Sequence, residues 1–301
     1  MTELDDAVTV IIPTLALGVR SRLIEQAIES VHSQTGVRAS PLVVVNGNRQ
    51  DAQVVDALRR DTRVRMLMAG EADLPGALRL GRAHVHTPWF TALDDDDLLL
   101  PNALSARVLA LRARLDCAAV VTNGFRRDLS GDTLHVPDFS AVRRDPLRGL
   151  MSFNWLLPGS WLGRTAAFED ELFERMPRYL ECTYLAVRFA TTHGCCFLDV
   201  PTMVWSADTP HSVSKSREYE LGMEAALSRI VELDLPADIR HGFRRRLAAA
   251  RNSAAALYLQ EGDRRAAWRS HLRALRGPAS WRFLGLTPRL LFASRVRERT
   301  A

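Results

Sequence analysis

Residues 94–97 are four consecutive aspartates, Asp94, Asp95, Asp96 and Asp97, set directly behind the apolar run WFTAL. Carboxylates a few ångströms apart repel one another and resist burial. Such a run is either a solvated turn that caps a following helix or a place where a cation collects. An EF-hand loop needs oxygen ligands at alternate positions, and Leu98 stands where its third ligand belongs. A prenyl-diphosphate DDxxD motif fails at the same residue. The sequence also lacks a GxxxxGK[ST] loop and a GxGxxG turn after a strand. What remains is a D-x-D arrangement, Asp94-Asp95-Asp96. Its alternate side chains can approach one Mg²⁺ or Mn²⁺ and leave coordination sites for phosphate oxygens.

The elements around the run must place it at a strand end. VTVIIP (8–13) is a β-branched apolar run of the kind that becomes a fully buried strand. Ser21 is a plausible cap for a helix in which Ile24, Ala27, Ile28 and Val31 repeat at helical spacing. PLVVVNGN (41–48) reads as a second strand, 51–60 as a helix, RVRMLMA (63–69) as a third strand, and about 76–86 as a helix. PWFTAL (88–93) is the fourth strand, 98–115 a helix with Pro101 near its start, and CAAVVTNGF (117–125) the fifth strand. This succession predicts an α/β fold with a mostly parallel sheet flanked by helices. Ligands of such sheets bind beyond the carboxyl ends of the strands. Pro13-Thr14, Asn46-Gly47-Asn48 and the aspartate run each follow a strand, so the three should meet on one rim.

Between about 126 and 215 the alternation gives way to crowded aromatics, prolines and glycines, read as a second half of the same domain. Residues 216–301 form a helical C-terminal region. Charge is unevenly spread as well. From residue 240 onward there are 15 basic and 3 acidic side chains, a net of +12 within a chain whose net charge is +5. No aromatic-interleaved basic stripe or nucleic-acid motif accompanies that charge, so a nucleic-acid partner is not expected. In WRFLGLTPRLLFASRVRER (281–299) apolar residues mix with arginines. Three readings stay open: a helix lying on anionic lipid, a helix packed on the main domain, or a homodimer contact. The N-terminal stretch lacks the basic region of a signal peptide, and no apolar run approaches the ~20 residues that span a bilayer. A cytoplasmic location follows, with the inner membrane face as the alternative. The four cysteines show no CxxC spacing and are expected to be reduced thiols.

VTVIIPT, AIESVHSQT, LVVVNGN and FTALDDDDLLLPNAL, in that order, resemble family 2 glycosyltransferases of the GT-A fold. The resemblance runs from residue 8 to about 215. It implies transfer of a sugar from a nucleotide diphosphate donor, with inversion, assisted by Mn²⁺ or Mg²⁺. Residues 1–125 would be the nucleotide-sugar half of a catalytic domain and 126–215 the acceptor half. Pro13 and Thr14 fall where the family contacts the nucleoside. Asn46 replaces the usual aspartate against the base, which leaves a UDP- or TDP-sugar favoured. Arg79 lies near a position facing the donor phosphates. Asp94 would contact ribose or sugar, Asp96 would bind the metal, and Asp95 and Asp97 would support them. His211 in DTPHSVS would be a further metal ligand. Glu181, in LECTYLAVRFA (180–190), is the expected catalytic base, although the family's following aspartate is Cys182 here. Asp170 and Glu171 are outside candidates. Trp161, with Trp155 and Arg164, would line the sugar pocket. A sugar nucleotidyltransferase and a non-catalytic nucleotide-sugar-binding relative are the competing readings. Polysaccharide, lipid-linked glycan and secondary metabolite all remain open as acceptors.

Overall fold

A computed structural model describes residues 6–168, 171–209, 213 and 216–292. The chain divides into two compact units, Met1–Pro210 and His211–Ala301.

In the first unit, β1 (Ala7–Thr14) is buried along its whole length. It lies parallel between β2 (Arg38–Asn46) and β4 (Trp89–Ala92), and β3 (Arg65–Ala69) extends the parallel set beyond β2. Alternate β1 side chains serve opposite faces. Val8, Val10 and Ile12 join one core with Ile24 and Ile28 of α1 (Ser21–His32), Val54 and Leu58 of α2 (Ala52–Arg60) and Val108 of α4 (Ala103–Arg112). On the other face Ile11 meets α3 (Leu74–Ala83) at Gly81, where an added Cβ would lie 2.6 Å from the isoleucine. A glycine is required there by close approach. Burial on both faces explains why these strands are continuous apolar runs rather than alternating ones. Asp51 and Asp73 cap α2 and α3 by accepting from the backbone N–H groups of Gln53 and Gly76.

Two expectations are corrected. Ser21 does not cap α1; it is the first helical residue and Arg20 occupies the cap position. The helix expected over 98–115 is shorter at both ends. Leu98–Leu99 forms a short strand, β5, because Leu99 N–H donates to Ser30 Oγ and Leu100 N–H to Thr202 O. Asn102 then turns left-handed at φ +61° and Leu104 N–H donates to Gln34 Oε1, so the helix starts at Ala103. A side chain 70 positions earlier in sequence decides that boundary.

The rest of the sheet is mixed. β6 (Ala119–Asp128) turns back as the hairpin strand β7 (Gly131–Leu134) and pairs antiparallel with β8 (Trp161–Arg164) and parallel with β9 (Cys195–Ser206). The strand path is β3-β2-β1-β4-β8-β6-β9-β5. Four steps of ~4.8 Å would put β5 about 19 Å from β4 in a flat sheet. The linking residues include a turn, Asp97 N–H to Asp94 O at 3.1 Å, and could not span that distance. The sheet therefore curls, helped by irregular register between β6 and β9 around Thr122–Phe125. Short helices α5 (Phe139–Arg144), α6 (Pro146–Ser152), α7 (Glu171–Glu174) and α8 (Glu181–Arg188) complete this unit.

In the second unit, α10 (Ala237–Gln260), α11 (Arg264–Leu275) and α12 (Leu286–Phe292) pack around Ala255, Ala267, Leu286 and Leu290, and α9 (Arg217–Val231) packs against α10. Glu224 of α9 pairs with both Arg251 and Arg273, joining three helices. Among the described residues no helix is long and apolar enough to cross a membrane.

Candidate active site

The parallel arrangement brings the ends of β1 and β4 side by side, and the aspartate run is built on both. Thr14, the last residue of β1, donates its hydroxyl to Asp95 Oδ2 at 2.5 Å and accepts from Ala16 N–H at 2.9 Å. The chain then delivers Arg20, whose guanidinium pairs with Asp95 Oδ1 and, at 2.9 Å, with Asp96 Oδ2. A cation does sit in the run, and it belongs to the protein. Burial opposes the Arg20 charge, but the fields of Asp95 and Asp96 outweigh it and hold the group above the ordinary arginine value. Asp97 is wholly buried. Its Oδ1 accepts from Ser206 N–H at 2.9 Å at the end of β9, while Oδ2 has no hydrogen-bond partner.

One guanidinium does not balance four carboxylates. Burial, then the charges of Asp96, Asp95 and Glu181, push Asp94 well above the usual carboxylate range. Burial, then Asp94 and Asp96, do the same to Asp97. The excess is negative, oxygen-rich and partly exposed at Asp94 and Asp96, which suits a hard divalent cation. Among the described residues no three His, Cys, Asp or Glu side chains are grouped to hold a metal. His211 lies outside the described residues, as does Asp170.

Glu181 comes from the far half of the same unit, at the start of α8. Tyr179 and Leu180 precede it with φ of +67° and +57°. Two successive left-handed residues that are not glycine cost on the order of 1–2 kcal/mol each and persist where the surroundings enforce them. The turn lets Tyr179 N–H donate to Glu181 Oε1 at 2.8 Å. Burial pushes Glu181 up to about 7, against that hydrogen bond, with a smaller push from Asp73 at the cap of α3. Its neighbour Cys182 is raised well above the ordinary thiol by burial, then by Asp94, Glu181 and Asp97, so it is a neutral thiol. Glu181 and Cys182 thus lie within the field of the strand-end aspartates, 80-odd positions away in sequence.

The other expected residues are placed as follows. Pro13 is buried inside β1 opposite Val44. Asn46 ends β2 and donates Nδ2 to Thr14 O at 3.1 Å, bracing the same strand end. Arg79 is exposed on α3, and among the described residues no ion pair joins it to the aspartates. Trp161, expected in the sugar pocket, is a core residue instead. It is 1% exposed, with Phe90, Phe168 and Phe189 packed around its ring, so no indole face is open to a sugar. Trp155 is buried likewise, and Arg164 is spent on the carbonyls of Leu111 and Cys117. Glu171 opens α7. Arg20 is the residue that reading along the chain missed. Its one signal is its place in the loop after β1, on the rim where strand ends converge.

The glycosyl transferase family 2 model matches residues 9–168, more than half of the chain. This chain belongs to glycosyltransferase family 2. No curated protein sequence matches it. Among solved structures, S. aureus TarS residues 1–349 in complex with UDP-GlcNAc is similar at 14% identity and TM-score 0.56, covering 96% of this chain and 87% of that one. The same TarS fragment with UDP gives 14% identity, TM-score 0.55 and the same 96% and 87% coverage. At that identity the likeness carries the fold, GT-A, and nothing finer. The family 2 match itself ends at Phe168, before α8, so Glu181 rests on the geometry of this chain.

Proposed function

We propose that this family 2 glycosyltransferase moves a sugar from a nucleoside diphosphate donor to an acceptor hydroxyl with inversion, using Glu181 as the base. The observation that carries the reading is Glu181, raised to about 7, within the field of Asp94 at the end of β4. A general base is most useful when its pKa lies near the working pH. The acceptor O–H would give its proton to Glu181 as the oxygen bonds to the anomeric carbon. The bond from that carbon to the diphosphate breaks, and its electron pair leaves on the diphosphate. Cys182 stays a bystander because its thiol remains protonated.

Asp94 and Asp96 are the residues we assign to a divalent cation. When bound, such an ion neutralises charge on a leaving diphosphate. Arg20 keeps Asp95 and Asp96 in place before any donor arrives, and Asp96 can serve both partners because a carboxylate has two acceptor oxygens. Thr14 and Asn46 fix the strand end beneath the nucleoside. Support for a nucleotide-sugar donor comes from the TarS complexes with UDP-GlcNAc and UDP, whose chain path resembles this one.

The test is release of nucleoside diphosphate from UDP-, TDP- and GDP-sugars, with and without Mn²⁺. Release that rises with pH up to about 7 and then levels off, and that loses this dependence in Glu181→Gln, is the expected result. Unchanged turnover in Glu181→Gln would move the base elsewhere.

A further inference from the structure

The second unit carries a surface to which the proposed reaction assigns no residue. Leu286 and Leu290 turn the inner face of α12 onto Ala255 and Ala267. Four large apolar side chains on the same short stretch are exposed instead: Trp281 is 72% exposed, Leu284 55%, Leu291 55% and Phe292 59%. Isolated exposed apolar residues are ordinary, but four within twelve positions, two of them adjacent at the end of α12, concentrate apolar surface on one short stretch.

The charge around that stretch has one sign. From Arg264 to Phe292 the sequence holds seven arginines and no aspartate or glutamate. Arg273 pairs with Glu224 and Arg264 with Leu290 O, both inside the unit. Arg265, Arg269 and Arg276 lie exposed along one side of α11, in line with the exposed Leu272. Arg289 is exposed within the apolar stretch, and Arg282 stacks 5.7 Å over the Trp281 ring.

We propose that Trp281–Phe292, with the arginine side of α11, docks on an anionic lipid surface. The apolar residues would enter the headgroup boundary, where a tryptophan is well suited, while the arginines meet the phosphates. A second copy of this chain fits less well. A symmetric contact sets a patch against itself, and here that would oppose arginine with arginine and offer no acid to relieve it. Nucleic acid would answer the charge but leave the exposed Leu and Phe side chains unused.

The test uses the full chain and vesicles of phosphatidylcholine alone or mixed with phosphatidylglycerol. At low salt the chain should sediment with the mixed vesicles at least about tenfold more strongly than with the neutral ones. Leu291→Ser with Phe292→Ser should weaken that binding about tenfold or more, and Arg282→Gln with Arg289→Gln by a similar factor. These positions are exposed, so circular dichroism should remain unchanged, and donor cleavage in solution should be unaffected. Binding to mixed vesicles that ignores the serine pair would overturn the proposal, as would no sedimentation at low salt. Tighter binding to duplex DNA, or a dimer that the serine pair dissolves, would assign the surface to those partners and overturn it equally.

Discussion

Arg20 and Arg107 are both taken out of water by the same sheet, and they are satisfied in opposite ways. Arg20, at the rim, faces carboxylates and is held above its ordinary value. Arg107, inside α4, has no acid beside it. It donates to the carbonyls of Trp161 at 3.1 Å and Gly159 at 2.5 Å and to Thr202 Oγ1 at 2.5 Å, and burial pushes it down to about 9. It is still charged at neutral pH. The interior uses one arginine to tie β8, β9 and the segment between β7 and β8 through neutral dipoles. The rim uses one to contain a charge excess and leaves part of that excess uncompensated. The interior answers most of the Arg107 donors with neutral oxygens and leaves only Nε without a partner, whereas the rim leaves Asp94, Asp97 and Glu181 all raised, a clustering of perturbed acids of the kind that marks reactive sites.

The sharpest way to break that contrast is at Glu181. Glu181→Gln should lower turnover about 10²- to 10⁴-fold, the range for a lost general base, with the fold intact. Next, Arg107→Met should cost about 2–3 kcal/mol in urea unfolding, since buried carbonyls lose their donor. Stability equal to the parent would mean that relieving the desolvated charge offsets those bonds. Arg20→Gln should cost less, about 1–2 kcal/mol at pH 7, and the loss should shrink on adding Mn²⁺ or lowering the pH, because either relieves carboxylate repulsion. A loss indifferent to both would make Arg20 an ordinary packing residue.

The smallest effect is a stability gain. Glu181 stands at about 7 against an ordinary 4.5. Between those values the folded chain keeps a proton that the unfolded chain has released, so its contribution to stability falls as pH rises through the window. Glu181→Gln should therefore be more stable than the parent at pH 8, by about 1 kcal/mol after allowing for partial exposure, and not at pH 4.5. Thermal melts at the two pH values check it.

Much of the first half was legible because its signals are local. VTVIIP and PLVVV read as buried strands and are, and Asp51 and Asp73 cap α2 and α3 from the residue just before each helix. The second half was not, because its antiparallel β8 and bulged β9 pair with partners far away in sequence. Trp161 shows the cost. An aromatic segment reads the same whether it lines a pocket or fills a core, and only the rings of Phe90, Phe168 and Phe189 around it decide.

By itself the sequence determined where the carboxylates accumulate and that a sheet end would present them, since alternating β and α periods follow from the order of residue types. Tertiary structure alone decided what offsets their charge. Arg20 and Asp95 stand 75 positions apart, and Coulomb energies depend on distances through space that no local pattern encodes. The same holds for Glu181, whose raised pKa comes first from burial, a property the folded surroundings confer on a glutamate that is ordinary in sequence.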